Sequence, residues 1–280
     1  MSSIVQNWLG DDASLNQYLL HLARGRDEAA IKACSDDYSG PENPVTVDQM
    51  GNIAVIKISG GMISEPSRWS RYDGIVSYPD IQERMEEVGE DQNTEAVMLR
   101  WNSGGGDAQG VAAFAKYIRT YNNEVKPVVS YVSGNALSAA YWLASGASKI
   151  LADEESFLGS IGCTSVHIEI TEMLKQMGVN AKVYRSAPYK ALGHPMEKRT
   201  PEADAEMTRR NKLYHDRFVN GISELRGIDV KTLNERIANG KVYETKEAVT
   251  FGMLDGVLSF ELALARIHAG LKSSQNPTKK

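Results

Sequence analysis

The stretch that decides the fold reads Gly134-Asn135-Ala136-Leu137-Ser138-Ala139-Ala140-Tyr141-Trp142. It follows a β-branched run from Pro127 to Val132 and precedes a pattern of small residues from Ala139 to Ala147. These patterns predict a strand that ends, and a helix that begins, close to Ser138. The unpaired N–H groups and the dipole of a helix start favour negative charge there, so the Ser138 hydroxyl lies where an oxyanion could be stabilised.

A simpler interpretation of Ser138 is a helix N-cap, because a serine oxygen commonly accepts a hydrogen bond from the first helical turn. A nucleophilic role needs two further parts. One is a base that takes the hydroxyl proton, and the other is a set of N–H donors for the oxyanion. Whether Ser138 is more than a cap therefore depends on the rest of the chain.

Strands and helices alternate on both sides of this stretch. The sequence predicts strands at 53–58, 96–101, 127–132, 149–152 and 181–184, and helices at 79–88, 108–121, from 138, after 166, and at 200–225, 229–238, 245–252 and 259–271. Such alternation indicates parallel βαβ units and an α/β fold. We expect Gly60-Gly61 to end the first strand and Gly104-Gly105-Gly106 to form a turn between strand and helix.

We expect three parts in the chain. Residues 1–45 form an N-terminal helical appendage and linker that packs on the same chain, with one apolar helix face made of Leu15, Tyr18, Leu19 and Leu22. Residues 46–271 form the compact domain. Residues 272–280 are a polar tail that we expect to be disordered.

Composition argues against several classes of function. The net charge of −5, without a cluster of Lys and Arg, argues against binding to nucleic acid or to an anionic membrane surface. No apolar run approaches the roughly 20 residues that cross a bilayer, and no secretory signal is present, so a cytoplasmic protein is expected. Cys34 and Cys163 fit a reducing compartment, although one disulfide stays open. No metal-binding spacing is present, so we expect neither metal nor cofactor.

The glycines at 104–106 do not form a phosphate loop. The dinucleotide pattern would need a glycine where Gln109 stands, Asp107 would repel a pyrophosphate, and the P-loop pattern is absent. Consecutive glycines also let backbone N–H groups point into a site, which is what an oxyanion hole requires. A tight turn without function is the alternative.

Four ordered segments resemble motifs of the signal peptide peptidase A family, whose members share the ClpP/crotonase fold. They are Asn102-Ser103-Gly104-Gly105-Gly106, Ala136-Leu137-Ser138-Ala139-Ala140-Tyr141, Leu158-Gly159-Ser160-Ile161-Gly162 and Tyr184-Arg185-Ser186-Ala187-Pro188-Tyr189-Lys190. A last stretch is similar to the family's V-Y…A…G-L-x-D pattern through Val242, Tyr243, Ala248, Gly252, Met253, Leu254 and Asp255. Gly104 replaces the family's proline, and Leu158 replaces its threonine. The motifs cover about residues 50–260, and without a membrane segment the chain resembles the phage capsid protease C branch.

The resemblance implies a serine peptidase with a Ser–Lys dyad, built from repeated parallel ββα units with a C-terminal helical region. It implies Ser138 as the nucleophile, Lys190 as the base and Ser160 as the residue that orients the lysine. A lysine accepts a proton only when it is neutral, which apolar surroundings favour, and most neighbours of Lys190 are apolar. The oxyanion is expected on the backbone N–H groups of Gly105 or Gly106 and of Ala139.

The resemblance also implies partners. The substrates would be capsid, portal or scaffold proteins cleaved during phage head maturation, in the host cytoplasm or within the prohead. Members of the family form rings, so the resemblance implies a homo-oligomer, and it leaves open whether Ser138 and Lys190 of one site come from the same subunit or from adjacent subunits. Small residues near the nucleophile, Gly134, Ala136 and Ala140, favour slender apolar substrate side chains.

Four alternatives stay open. A ClpP-type histidine base would lie near Cys163, where the nearest histidine is His167, which we expect on one face of a strand or early helix. An acyl-CoA enzyme of the crotonase type would need an acidic base beside the glycine turn. Asp107, Glu154 and Glu155 lie near the ends of the motifs, and we interpret them as solvated surface residues rather than as catalytic groups. The other two alternatives are a soluble protease that degrades peptides and a catalytically silent assembly protein.

Overall fold

The structure is a computed structural model that describes residues 8–10, 43–66, 70–71, 73 and 75–275, with side chains from 43 to 273. Its strands are β1 (Trp8–Gly10), β2 (Thr46–Met50), β3 (Ile53–Ile63), β4 (Val76–Ser77), β5 (Ala96–Asp107), β6 (Val128–Leu137), β7 (Lys149–Ala152), β8 (Phe157–Gly159), β9 (Val242–Glu244) and β10 (Gly256–Val257). The predicted helix with Leu15 and Leu22, and most of the predicted linker, lie outside the described residues.

The helices lie between and after these strands. They are α1 (Tyr78–Glu90), α2 (Val111–Glu124), α3 (Ala139–Ala144), α4 (Thr171–Gln176), α5 (Pro201–Arg226), α6 (Val230–Thr232), α7 (Thr245–Thr250) and α8 (Phe260–Gln275), with a π-helical turn at Leu233–Ile237. Helix α5 begins at the predicted cap, because the Thr200 side chain accepts a hydrogen bond from Ala203 N–H and Pro201 occupies the first turn.

One sheet organises the molecule. Its main order is β10-β7-β6-β5-β3-β2, with β2 antiparallel to β3 and the other neighbours parallel. Strand β8 pairs in parallel with the last three residues of β6, 135–137, and antiparallel with β9. The predicted α/β fold with parallel strands is therefore confirmed.

Both faces of this sheet are covered, which explains why its strands are almost continuously apolar. Ala54 and Ile56 of β3 belong to a core cluster that includes buried residues of α1, α2, α3 and α5. The alternate residues Ile53 and Val55 pack in a second cluster with Ala263 of α8. The side-chain period of two thus assigns each strand residue to one of two cores.

Two strands run further than the sequence predicted. Strand β3 continues through Gly60-Gly61 to Ile63, and β5 continues through the three glycines to Asp107. The prediction of breaks was wrong because both segments find partners, with Gly61 opposite Gly105 and Met62 opposite Gly106. An added Cβ on Gly106 would stand 2.0 Å from the carbonyl oxygen of Met62, so glycine permits this close approach.

The segment between β8 and α5 departs most from expectation. The predicted strand at 181–184 is wrong, since these residues are irregular and mostly exposed. The predicted helix after 166 shrinks to the six residues of α4, none of them buried. The start of the predicted disordered tail is also corrected, because Lys272 to Gln275 continue α8, whereas residues 276–280 lie outside the described part.

Candidate active site

Ser138 stands alone between β6 and α3 in an unusual backbone conformation. Its φ of 52° and ψ of −120° are rare for a residue with a side chain, and such strain is often concentrated at functional sites. Its N–H donates to Gly159 O at 2.7 Å, and its carbonyl accepts from Trp142 N–H at 3.1 Å. The side chain makes no capping hydrogen bond, so the interpretation of Ser138 as an N-cap is wrong.

A cavity of about 610 Å³ opens beside Ser138. The residue itself is only 1% exposed. The cavity is lined by Ser138, Ser160, Ile161, Gly162, Cys163, Thr164, Thr208, Asn211, Lys212, His215, Ala238, Asn239 and Gly240. The structure therefore brings Ser138 and Ser160 to one surface.

Ser160 is held by the last part of the chain. Its φ is 53°, and its N–H donates to Lys241 O at 2.7 Å. The preceding Gly159 has a φ of 113°, and a Cβ there would stand 2.8 Å from both Lys241 O and the Tyr243 ring. The backbone that carries Ser160 is thus fixed by the pairing of β8 with β9.

The glycine end of β5 follows the last residue of that strand that pairs with β6. Ser103 is the last residue of β5 paired with β6, opposite Ala136, so continuing this parallel register places Gly105 level with Ser138. Gly105 has a φ of 103°, and its N–H donates to Ser103 Oγ at 3.1 Å. Ala139 is the first residue of α3, so its N–H has no acceptor inside the helix. The expected oxyanion donors Gly105, Gly106 and Ala139 are thus close to Ser138 in sequence or in strand register, but none of them is among the residues that line the cavity.

Asp107 follows the glycines and is buried rather than solvated, so its interpretation as a surface residue is wrong. Its carboxylate accepts from Ser64 Oγ at 2.6 Å and from Gln109 N–H at 2.9 Å. Tyr78 Oη donates to the Asp107 carbonyl. Burial and the Asp107 charge hold the pKa of Tyr78 well above its ordinary value. These bonds make Asp107 an anchor for the end of β5.

Lys190 is not brought to the cavity within this chain. It is exposed in a turn where its N–H donates to Ala187 O, and it is absent from the residues that line the cavity. Apolar residues along the same segment are also exposed, namely Val166, Ile168, Met173, Met177, Val179, Tyr184 and Tyr189. The lysine and this apolar surface thus share the irregular segment.

The histidine alternative finds no support in the position of His167. His167 lines a separate cavity of about 280 Å³, and within the described residues neither ring nitrogen has a hydrogen-bond partner. Cys163 lines the main cavity, where burial raises its thiol pKa to about 12. It is therefore a thiol at neutral pH rather than a thiolate nucleophile.

Helix α5 contributes a wall that the sequence reasoning missed. Thr208, Asn211, Lys212 and His215 all line the main cavity. Burial lowers the pKa of His215, with Asp216 opposing and Lys212 reinforcing the shift. The signal was readable, because spacings of three, four and seven residues place these side chains on one helical face.

The part of the chain that the structure describes contains neither a cluster of metal ligands nor a membrane-spanning helix. No group of three or more His, Cys, Asp or Glu side chains there could hold a metal ion. Nor does any helix in the same residues combine the length and the apolar character needed to cross a membrane.

Comparison with known proteins gives matches in sequence and in structure. The profile of peptidase family S49 matches residues 120–274. An SppA-type signal peptide peptidase homologue of Enterococcus faecium is 28% identical over 217 residues, covering 76% of this chain and 62% of that protein. Capsid assembly protease C of Escherichia phage lambda is 26% identical over 234 residues, covering 84% of this chain and 53% of that protein. The chain thus spans about half to just under two thirds of these relatives.

In structure, the chain is similar to an enoyl-CoA hydratase from Shewanella pealeana. The TM-score is 0.51 at 10% identity, and the match covers 82% of this chain and 74% of the other. A second enoyl-CoA hydratase, from Thermoplasma volcanium, gives a TM-score of 0.50 at 14% identity over 82% of this chain and 77% of that one. At these identities the likeness shows the fold alone, which is the crotonase-like fold.

Proposed function

Because this chain belongs to peptidase family S49, we propose that residues 46–271 are a serine endopeptidase domain with Ser138 as the nucleophile. The observation that carries the proposal is the conformation of Ser138. It is a strained, uncapped serine at a helix start, on the wall of a cavity and level with the glycine end of β5. A strained serine that lines a cavity and makes no capping bond to its own helix suits nucleophilic attack.

The chemistry follows from the groups around Ser138. The Ser138 hydroxyl attacks the peptide carbonyl carbon while a neutral lysine takes its proton, and the carbonyl oxygen becomes an oxyanion. The oxyanion accepts hydrogen bonds from Ala139 N–H and from the N–H of Gly106, or from that of Gly105 once it releases Ser103 Oγ. The protonated lysine then gives its proton to the leaving amine, and water hydrolyses the acyl-serine with the same lysine as base.

We propose Lys190 as that lysine and Ser160 as the residue that orients it. Lys190 is exposed on a segment that also exposes several large apolar side chains, and exposed apolar side chains favour association with a second copy. In such a homo-oligomer Lys190 would enter the cavity of the neighbouring subunit. Removal from water on docking would also favour the neutral lysine that the mechanism needs.

The first test compares four variants in the full-length chain. Ser138→Ala and Lys190→Ala are each expected to lower peptide hydrolysis by at least about a thousandfold, as loss of a nucleophile or its base does. Lys182→Ala is the matched control, since it removes another exposed lysine of the same segment. His167→Ala is expected to keep activity. Retained hydrolysis in Lys190→Ala with loss in His167→Ala would overturn the dyad.

The second test asks whether the site is shared. Inactive Ser138→Ala and Lys190→Ala chains are mixed, and co-assembly is verified by size and by mass. Shared sites predict partial recovery of hydrolysis, because some interfaces then join an intact Ser138 to an intact Lys190. Verified co-assembly without any recovery would contradict shared sites.

We further propose that the substrates are capsid, portal or scaffold proteins during phage head maturation in the host cytoplasm. The support is the similarity to capsid assembly protease C of phage lambda and to the head-tail preconnector protein GP5 of phage P21. The purified chain is incubated with co-expressed capsid and scaffold proteins, with Ser138→Ala as control. Defined fragments support this substrate class. Cleavage restricted to signal peptides or unfolded protein favours the soluble peptide-degrading alternative, and no labelling of Ser138 by a fluorophosphonate favours a silent assembly protein.

A further inference from the structure

The N-terminal strand β1 pairs with the strand end that carries the candidate oxyanion donors. It runs antiparallel to β5, with Trp8 opposite Asp107, Leu9 opposite Gly106 and Gly10 opposite Gly105. This pairing joins residues almost a hundred positions apart. Strand β1 is not part of the main strand order of the sheet. The strand therefore forms a separate addition at one end of β5.

The edge of β5 that β1 occupies is the one that pairs with β6, the strand that leads to Ser138. On its opposite edge, Gly105 is paired with Gly61 and Gly106 with Met62 of β3. A strand has two edges, and β3 occupies one of them at Gly105 and Gly106. Strand β1 therefore takes the other edge, which β6 occupies from Val97 to Ser103.

Strand β6 leaves this edge just before the nucleophile. Its last pair with β5 joins Ala136 to Ser103, and the ladder shows a register shift immediately before it. Beyond that pair the same edge of β5 is taken by β1, whose Gly10 stands opposite Gly105, two residues after Ser103. Ser138 likewise follows two residues after Ala136, so β1 begins on this edge where β6 gives way to Ser138.

We infer that Trp8–Gly10 is a built-in peptide ligand that occupies the substrate strand position of the site and competes with substrate. The inference rests on the proposed peptidase function, and it assigns the N-terminal segment a role as an intramolecular inhibitor. An extended peptide added to an open strand edge gains its affinity chiefly from backbone hydrogen bonds, so the edge accepts any extended chain, including this one.

Covalent linkage strengthens this competition. A ligand on the same chain acts at an effective concentration on the order of millimolar for a flexible connection, whatever the concentration of the protein. A strand of three residues would bind weakly as a free peptide, yet it can exclude a dilute substrate when it is attached. A substrate that adds more paired residues than β1 would displace it, so long extended substrates are favoured over short ones.

The test breaks the strand by removing backbone donors in the full-length chain. Residues 9 and 10 direct their N–H groups to opposite edges of β1, so one of Leu9→Pro and Gly10→Pro removes a donor to β5. Ser3→Pro, five positions before Trp8, is the control. A fluorescent peptide with the sequence of residues 6–12 is titrated into each variant on a Ser138→Ala background, and binding is measured by anisotropy.

We expect the peptide to bind at least about tenfold more tightly to Leu9→Pro or Gly10→Pro than to the control, because the internal competitor is released. Equal affinity in all variants, or no binding to any, would overturn the inference. Amide hydrogen exchange gives a second measurement on the unmodified chain. Those amides of Gly106 and Asp107 that face β1 should be protected there, exposed in the proline variant and protected again by added peptide, whereas the Gly105 N–H, which donates to Ser103 Oγ, does not report on β1.

This arrangement separates the two hypotheses. Peptide binding to Ser138→Ala requires no hydrolysis, so it decides the role of β1 even if the chain is not a peptidase. Conversely, hydrolysis of short peptides at the same rate in Leu9→Pro, Gly10→Pro and Ser3→Pro would support the proposed function and contradict the internal inhibitor.

Discussion

Replacing Gly159 with alanine tests whether the proposed nucleophile, Ser138, depends on the end of β8. Gly159 accepts the N–H of Ser138 through its carbonyl and immediately precedes Ser160. It also adopts a φ of 113°, which side-chain-bearing residues rarely take. The substitution therefore perturbs both candidate site serines through the backbone, without removing a functional group.

The magnitude can be worked out from two contributions. An alanine held in so unfavourable a backbone region costs about 1–3 kcal/mol. Its Cβ would also stand 2.8 Å from Lys241 O and 2.8 Å from the Tyr243 ring, well inside normal contact. Overpacking of this kind costs about 1–3 kcal/mol, so we expect the free energy of unfolding to fall by about 2–6 kcal/mol.

Gly178→Ala is the matched control. Gly178 has a φ of 71° but nothing within 4 Å of the position of an added Cβ, so only the left-handed strain of about 1–2 kcal/mol applies. Urea unfolding followed by fluorescence compares the two variants with the parent chain.

The second readout is labelling of Ser138 by a fluorophosphonate. We expect the rate to fall about tenfold to a hundredfold in Gly159→Ala, because small displacements of a reacting group carry costs of this order, and to be unchanged in Gly178→Ala. An unfolding midpoint in Gly159→Ala no lower than in the control, with normal labelling, would refute the reasoning.

Two further predictions concern the supports of the site. For Asp255, burial alone would raise the carboxyl pKa, but hydrogen bonds from Ile150 N–H and Arg226 outweigh it and hold the pKa below its ordinary value. Its stabilisation is therefore present above the unfolded pKa of about 3.9 and lost as pH falls through the folded pKa, so Asp255→Asn should lower the unfolding free energy by about 1 kcal/mol at pH 7 and progressively less below about pH 4. Urea titrations across pH 3–7 measure this, and a difference independent of pH would contradict it. Phe218→Ala should cost about 3–5 kcal/mol, since Phe218 is fully buried and stacks on Trp142 at 4.7 Å. A double-mutant cycle with Trp142→Ala should give a coupling of about 1 kcal/mol, and additive losses would argue against the stack.

The central sheet was predictable because a strand that is buried on both faces is almost entirely apolar in sequence. Strands such as 96–101 and 127–132 are nearly all apolar, and the helices between them carry the expected periodicity. The joint at Ser138 was also correctly placed between a strand and a helix. The local pattern could not predict that the Ser138 side chain makes no capping hydrogen bond, because capping depends on the direction of the hydroxyl group.

The glycines show why the ends of strands were missed. Gly60-Gly61 and Gly104–Gly106 have the composition of turns, yet each continues a strand because another backbone passes close to it. That neighbour comes from a distant part of the chain, which a local pattern does not reveal. The same limit explains the wrong strand at 181–184, which has β-forming residues but no partner within the described residues.

The position of Lys190 illustrates a different limit. Its motif is local, but the cavity it would serve lies elsewhere on the chain, and the single chain leaves the lysine in solvent. In contrast, the α5 face with Asn211 and His215 was available from helical spacing alone. Helical periodicity predicts a shared face, whereas a loop motif does not predict the surface against which it packs.

The late strands have a consequence for the time course of synthesis. Ser138 and Ser160 leave the ribosome well before Lys241 and Asp255, yet Lys241 holds the Ser160 backbone and Asp255 secures the start of β7. A nascent chain therefore carries Ser138, the proposed nucleophile, for some time on an unfinished scaffold. Under the proposed function, the order of synthesis delays completion of the site until the residues around Lys241 and Asp255 have emerged and folded.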